Sequence, residues 1–278
     1  MGKVLQFVVP ELAFENNFLM NAMLGIASLH MQRLHPDPAN AQRQTVIYRA
    51  KALKQYRQAL PFIDINSEHY DAALIMTILL VVLCSQDYAM SNEELTIVQW
   101  IILYGGMRTV MEMDTAETIR SKKIGPMFSR YITELKSTPA ISLSLFNMVA
   151  CVTPMDEEYA SLKFYCQALD DLAVVYASLS QDGVGNAFSL RVITWPTYVT
   201  REFAALAKEK RPRALIILAH YLIFTKLVSN LWWVEGIADR EIAIISNMLS
   251  PEWHQFLQIP LQARSLTKSE DIVQLLLG

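Results

Sequence analysis

Residues 67–88 read SEHYDAALIMTILLVVLCSQDY, and this stretch decides the fold class. Its centre, residues 72–84, is 13 residues long and apolar almost throughout. As a helix it reaches about 20 Å, well short of the roughly 30 Å of a bilayer core. It is too long for an ordinary strand and lacks the period-2 alternation of one. The stretch predicts a helix that is apolar nearly all round, enclosed at the centre of a helical protein rather than set in a membrane.

The same periodicity extends outward on both sides. Residues 16–34 place Leu19, Met23, Ile26, Ala27, His30 and Leu34 at helical spacing, ahead of the His35-Pro36-Asp37-Pro38 break. Residues 41–60 place Ile47, Ala50, Leu53 and Leu60 on one side, and Asn92-Glu93-Glu94 opens a helix running past Trp100 to Met113. Residues 115–136 and 139–152 predict two more helices, punctuated by Gly125-Pro126 and Pro139. Residues 156–179 form a strong amphipathic pattern, followed by a loop over residues 181–186. Trp195-Pro196 starts a helix to Ala207, Pro212 opens one reaching Trp233, and Gly236 separates that from residues 237–249. Pro251 begins a short last turn to Leu257. No stretch alternates like a strand, and neither a repeat nor a linker interrupts the chain. The expectation is one all-α domain over residues 1–278.

Composition narrows the function. Hydrophobic residues make up 53% and charged ones 18%, against about 25% charged in an average domain, and the mean hydropathy is +0.23. With 11 Phe, 11 Tyr and 5 Trp, such an interior is expected to enclose a deep apolar pocket. The net charge of −3 leaves no electrostatic footprint for nucleic acid. Arg43, Arg49, Lys51, Lys54 and Arg57 scatter around their helix as a solvated face. Cys84, Cys151 and Cys166 each sit in an apolar run, expected as small buried hydrophobes. Their odd number fits a reducing compartment, and residues 1–10 lack a signal-peptide pattern.

Few residues suggest chemistry. No phosphate loop, nucleophile elbow or His-Glu-x-x-His pair occurs. The acidic pairs Glu93-Glu94, Glu157-Glu158 and Asp170-Asp171 are adjacent in sequence, so each splits between helix faces and reads as solvated. No ligand set for a metal and no cofactor motif emerges. Of the five histidines, His35, His69 and His254 fall at turns and helix starts, whereas His30 and His220 lie within apolar faces. Each of these two is either a core histidine satisfied by a carbonyl or a polar wall of a pocket, able to move a proton near pH 7. Lys226, Asn230 and Glu235 add polarity after it, with Lys226 expected to reach solvent. Trp232-Trp233 fills core or lids a cavity.

These C-terminal residues also carry a family likeness. Ala214-Leu-Ile-Ile-Leu-Ala-His-Tyr221, Trp232-Trp233, Gly236, Leu249, Trp253 and Leu257 together resemble the closing segment of fungal zinc-cluster transcription factors of the sterol uptake control type. Pro10-Glu-Leu-Ala-Phe-Glu-Asn-Asn-Phe-Leu19 with Ala27-Ser-Leu-His30 resembles the opening of the same regulatory domain, and Trp100 with Tyr104-Gly105-Gly106 its middle. The resemblance implies an all-α fold with a hydrophobic sterol-binding pocket, walled here by Trp100, Tyr104, His220, Phe224, Trp232 and Trp233. The family's zinc cluster of six close cysteines has no counterpart, so a chain starting at Met1 is expected not to contact DNA directly.

Two functions follow as expectations. One is a stand-alone, cofactor-free cyclase of fungal secondary metabolism, a Diels–Alder-type catalyst on a terpenoid or polyketide, with His220 and Lys226 as catalytic residues. The other is a regulatory domain sensing a sterol-like ligand. The expected partner is a hydrophobic small molecule, with a homodimer as an option, in the cytoplasm for the first reading and the nucleus for the second.

Overall fold

Helix is the only regular structure among the described residues, which are 3–35, 39–85, 94–128, 135, 141–228 and 231–278 of a computed structural model. Of these, 78% are helical, in fifteen α-helices and five short 3₁₀ or π segments, with no strand. Contacts divide the chain into two units, Met1–Tyr88 with Leu103–Arg130, and Ala89–Ile102 with Tyr131–Gly278.

The first unit contains α1 (Val9–Glu15), α2 (Asn17–Leu34), α3 (Ala39–Ala59), α4 (Tyr70–Leu83), the later turns of α5 (Thr96–Met111), α6 (Ala116–Ser121) and α7 (Gly125–Phe128). Helix α4 is the enclosed helix expected from its sequence: eleven of its 14 residues are buried, from Tyr70 to Leu83. It packs against α1 and α2. Gly25 makes the close approach to α2 possible, because a Cβ there would lie 2.7 Å from Leu83 Cδ1. Two tyrosines tie the core by hydroxyl donation, Tyr70 to Val110 O at 3.0 Å and Tyr56 to Ala73 O at 3.4 Å. Burial pushes both phenols up to about 12, so they remain protonated donors.

Several expected boundaries and faces shift here. Helix α3 buries Thr45, Ala52 and Tyr56 rather than the larger apolar stripe, and leaves Ile47 and Leu60 38% and 37% exposed. Helix α2 likewise buries Phe18, Leu19, Ala22, Gly25 and Leu29, while Leu34 is exposed. The helix expected over residues 115–136 breaks after Ser121 and resumes at Gly125. Gln86–Tyr88, Asn92-Glu93 and Pro139 lie outside the described residues.

The second unit holds the first turns of α5, then α8 (Leu143–Ala150), α9 (Leu162–Asp182), α10 (Asn186–Thr194), α11 (Arg201–Lys208), α12 (Pro212–Lys226), α13 (Ile237–Met248), α14 (Gln258–Ser265) and α15 (Ser269–Leu277). Helix α12 is its centre: every residue from Arg213 to Thr225 is buried. Helices α8 to α11, α13, α14 and the 3₁₀ segment Pro251–Leu257 all pack on it. Pro212 opens the helix, as its fixed φ allows, and it ends at Lys226, seven residues before the expected Trp233. Thr200 breaks the helix expected from Trp195 to Ala207, its hydroxyl accepting the Phe203 N–H at 3.1 Å to cap α11. Gly236 starts α13 from a left-handed φ of +79°, a conformation that costs glycine little.

Candidate ligand site

The site is built from α12 outward. His220 and Phe224 lie one turn apart and so share a face of α12. The Phe224 ring meets Tyr176 of α9 edge-on, with centroids 4.7 Å apart at 90°, and tilts against Phe188 of α10 at 6.2 Å. On a neighbouring face Tyr221 stacks on Trp195 at 4.2 Å and donates to Val192 O at 2.9 Å. The result is an aromatic interior inside the second unit.

Polar atoms are set into it without partners. His220 is fully buried, and its Nε2 lies 3.0 Å from Phe256 O. A carbonyl only accepts, so Nε2 carries the proton and Nδ1 presents a lone pair. Among the described residues nothing donates to Nδ1, and the Tyr176 hydroxyl, Trp100 Nε1 and Trp195 Nε1 are equally buried and unpartnered. Each such orphan costs about 1–3 kcal/mol, since buried polar groups are ordinarily hydrogen-bonded. Burial lowers the His220 pKa to about 4, so the imidazole is neutral at pH 7. Burial raises the Tyr176 pKa, keeping it a donor. A buried acceptor thus lies one turn from Phe224 on α12, and a buried donor is carried on the ring that packs against Phe224.

The other predicted residues distribute as follows. Trp100, 3% exposed, stands edge-on to the half-buried Trp233 with centroids 5.3 Å apart. Trp232 is half-buried beside it. Tyr104 is buried too, but falls in the first unit, so it is not grouped with the others. Lys226 is only partly exposed, and its Nζ donates to Asp239 Oδ1 at 2.7 Å, Ala263 O at 2.8 Å and Arg264 O at 3.2 Å. That places it between α12, α13 and α14 as a structural tie. Asn230 lies outside the described residues. Separately, an open groove of about 890 Å³ runs along α13, lined by Lys210, Asp239, Arg240, Ala243, Ile244, Asn247, Met248 and Arg264.

Two buried ionic clusters escaped the sequence reading. Glu158 is buried rather than solvated, paired with Arg213 and accepting from Tyr165 Oη at 2.9 Å. Arg213 also reaches Asp156 at 3.1 Å and lies 5.1 Å over the Trp253 ring. Glu241 of α13, fully buried, accepts the Thr96 N–H at 2.5 Å and the Ile97 N–H at 3.0 Å. Arg240 braces it, 3.2 Å from Glu241 Oε1 and 2.6 Å from Thr96 Oγ1. Asp170 and Asp171 sit inside α9 rather than at a helix end, and Cys151 and Cys166 are exposed instead of buried. No group of three metal-binding side chains converges among the described residues, and no described helix is long and apolar enough to cross a membrane.

Comparison with known proteins places these features in a lineage. A "Zn(2)-C6 fungal-type transcription factor" of Gibberella zeae is 24% identical over 95% of this chain and 57% of its own length. A second, "Zn(2)-C6 fungal-type transcription factor afumD" of Aspergillus fumigatus, is 25% identical over 77% of this chain and 58% of its own length. "Sterol uptake control protein 2" of Saccharomyces cerevisiae is 24% identical over 83% of this chain and 26% of its own length. The chain therefore spans little more than half of the first two relatives and about a quarter of the third. The fungal specific transcription factor domain matches residues 3–180, and this chain belongs to that family.

Proposed function

We propose that this chain is a ligand-sensing regulatory domain that holds a mostly apolar, hydroxyl-bearing small molecule of sterol type, working in the nucleus. The observation carrying this is the pair of unpartnered buried atoms near Phe224, His220 Nδ1 one turn before it on α12 and Tyr176 Oη on the ring that meets it edge-on. A sterol hydroxyl would donate to the first and accept from the second, while the aromatic surroundings match its rings. Trp100 and Trp233 form a further wall of the same site in this reading. Relatives called sterol uptake control proteins support it.

The cyclase reading has less behind it. It asks His220 or Lys226 to handle protons near neutrality, whereas His220 titrates near 4 and Lys226 is committed to Asp239 and two carbonyls. Titration with the fluorescent sterol dehydroergosterol, read by energy transfer from tryptophan, tests the proposal. Saturable transfer that unlabelled ergosterol competes away is expected; transfer that never saturates would defeat it.

A further inference from the structure

Glu241 is the one carboxylate among the described residues that is fully buried, and it points at the start of another helix. Its two oxygens take the amide hydrogens of Thr96 and Ile97, the first two residues of α5, although 145 positions separate Glu241 from Thr96. A helix start leaves such amides without intrahelical partners and carries positive dipole charge, so a carboxylate there is both cap and counter-charge. Burial opposes the charge and raises the Glu241 pKa, while these hydrogen bonds and Arg240 pull it back.

The tether joins the two elements that carry the indole pair. Trp100 follows Thr96 by about one turn on α5, and Trp233 lies in the turn that Gly236 leads into α13. The rings meet edge-on at 5.3 Å, a geometry that a shift of either element would break. The buried Trp100 Nε1 has no partner among the described residues, so no hydrogen bond of its own anchors that ring at the contact. The register of the pair is therefore set from the backbone, where Glu241 grips it.

We infer that Glu241 is a positioning residue that, by fixing the first turn of α5 to α13, sets the Trp100–Trp233 pair as a wall of the ligand site. This rests on the ligand reading above. The test uses the indole exciton couplet in circular dichroism, identified as the signal lost in Trp100→Phe, alongside dehydroergosterol affinity. Glu241→Gln, with helical content unchanged, should lose most of the couplet and bind the sterol about ten-fold more weakly. Glu241→Asp keeps the charge but draws it back by one carbon, and should show both losses in smaller measure, which covers a Glu241→Gln variant that does not fold. A folded variant that keeps couplet and affinity overturns the tether. Loss of the couplet with unchanged affinity overturns the role in binding. Wild-type protein that shows the couplet but takes up no sterol defeats the ligand reading instead.

Discussion

The phenol of Tyr176 stands perpendicular to the ring of Phe224, at 90° and 4.7 Å between centroids, with its buried hydroxyl bonded to no described residue. A hydroxyl in that state is a burden on the empty protein and an asset to a bound one. Tyr176→Phe is thus expected to leave thermal stability unchanged or raise it by up to about 1 kcal/mol while weakening sterol binding about ten-fold. Melting curves and titrations with the same variant check both halves. A destabilised variant would mean that the hydroxyl has a structural partner.

His220 makes the second unit acid-sensitive. Its pKa is about 4 in the fold against 6.5 when solvated. Between those values the unfolded chain binds the extra proton, so stability is full above pH 6.5 and falls as the pH drops toward 4. The loss is about 3 kcal/mol by the lower end. Glu241, whose pKa is raised by burial, acts with opposite sign, adding stability as the pH falls. Subtracting the curve of His220→Gln isolates the histidine. A difference curve that stays flat from pH 7 to 4 would contradict the burial of a neutral imidazole.

Lys226 is predicted to matter for stability and not for ligand handling. Lys226→Met removes donation to Asp239, Ala263 O and Arg264 O and should cost about 2 kcal/mol. Sterol affinity should stay within about two-fold, corresponding to less than half a kcal/mol. Chemical denaturation and titration of the same preparation measure the two.

At Gly25 the prediction concerns packing. Gly25→Ala puts a methyl 2.7 Å from Leu83 Cδ1, a buried atom with little room to yield, so about 1–3 kcal/mol is lost. Leu83→Val should recover part of that in the double variant, giving a coupling energy that the cycle reads directly. Additive losses would mean that α2 and α4 relax apart instead.

The helix that sequence read best is the one that leaves no choice of face. Helix α4 is apolar nearly all round, so its burial followed from composition alone. Helix α3 offered two faces, and the larger stripe at Ile47 lost to the one where Ala52 and Tyr56 fit their neighbours. Helix α10 after the glycine loop, and α14 and α15 beyond Leu257, went unread because they are short and depend on packing for their stability. Glu158 read as a solvated acid and Glu241 drew no reading, since their partners Arg213 and Thr96 lie 55 and 145 positions away. His220 and Phe224 were visible as candidates from their motif and spacing. Tyr176 was visible only as one more apolar position in α9, because a missing hydrogen-bond partner is a property of the folded interior.

The most direct test of the account compares a sterol with its counterpart lacking the hydroxyl, titrated against wild-type protein and Tyr176→Phe/His220→Phe. The account predicts that wild type prefers the hydroxylated molecule by ten-fold or more, about 1.4 kcal/mol, and that the double variant loses this preference while remaining folded. Equal binding of both molecules by wild type, or a preference that survives in the double variant, would contradict it.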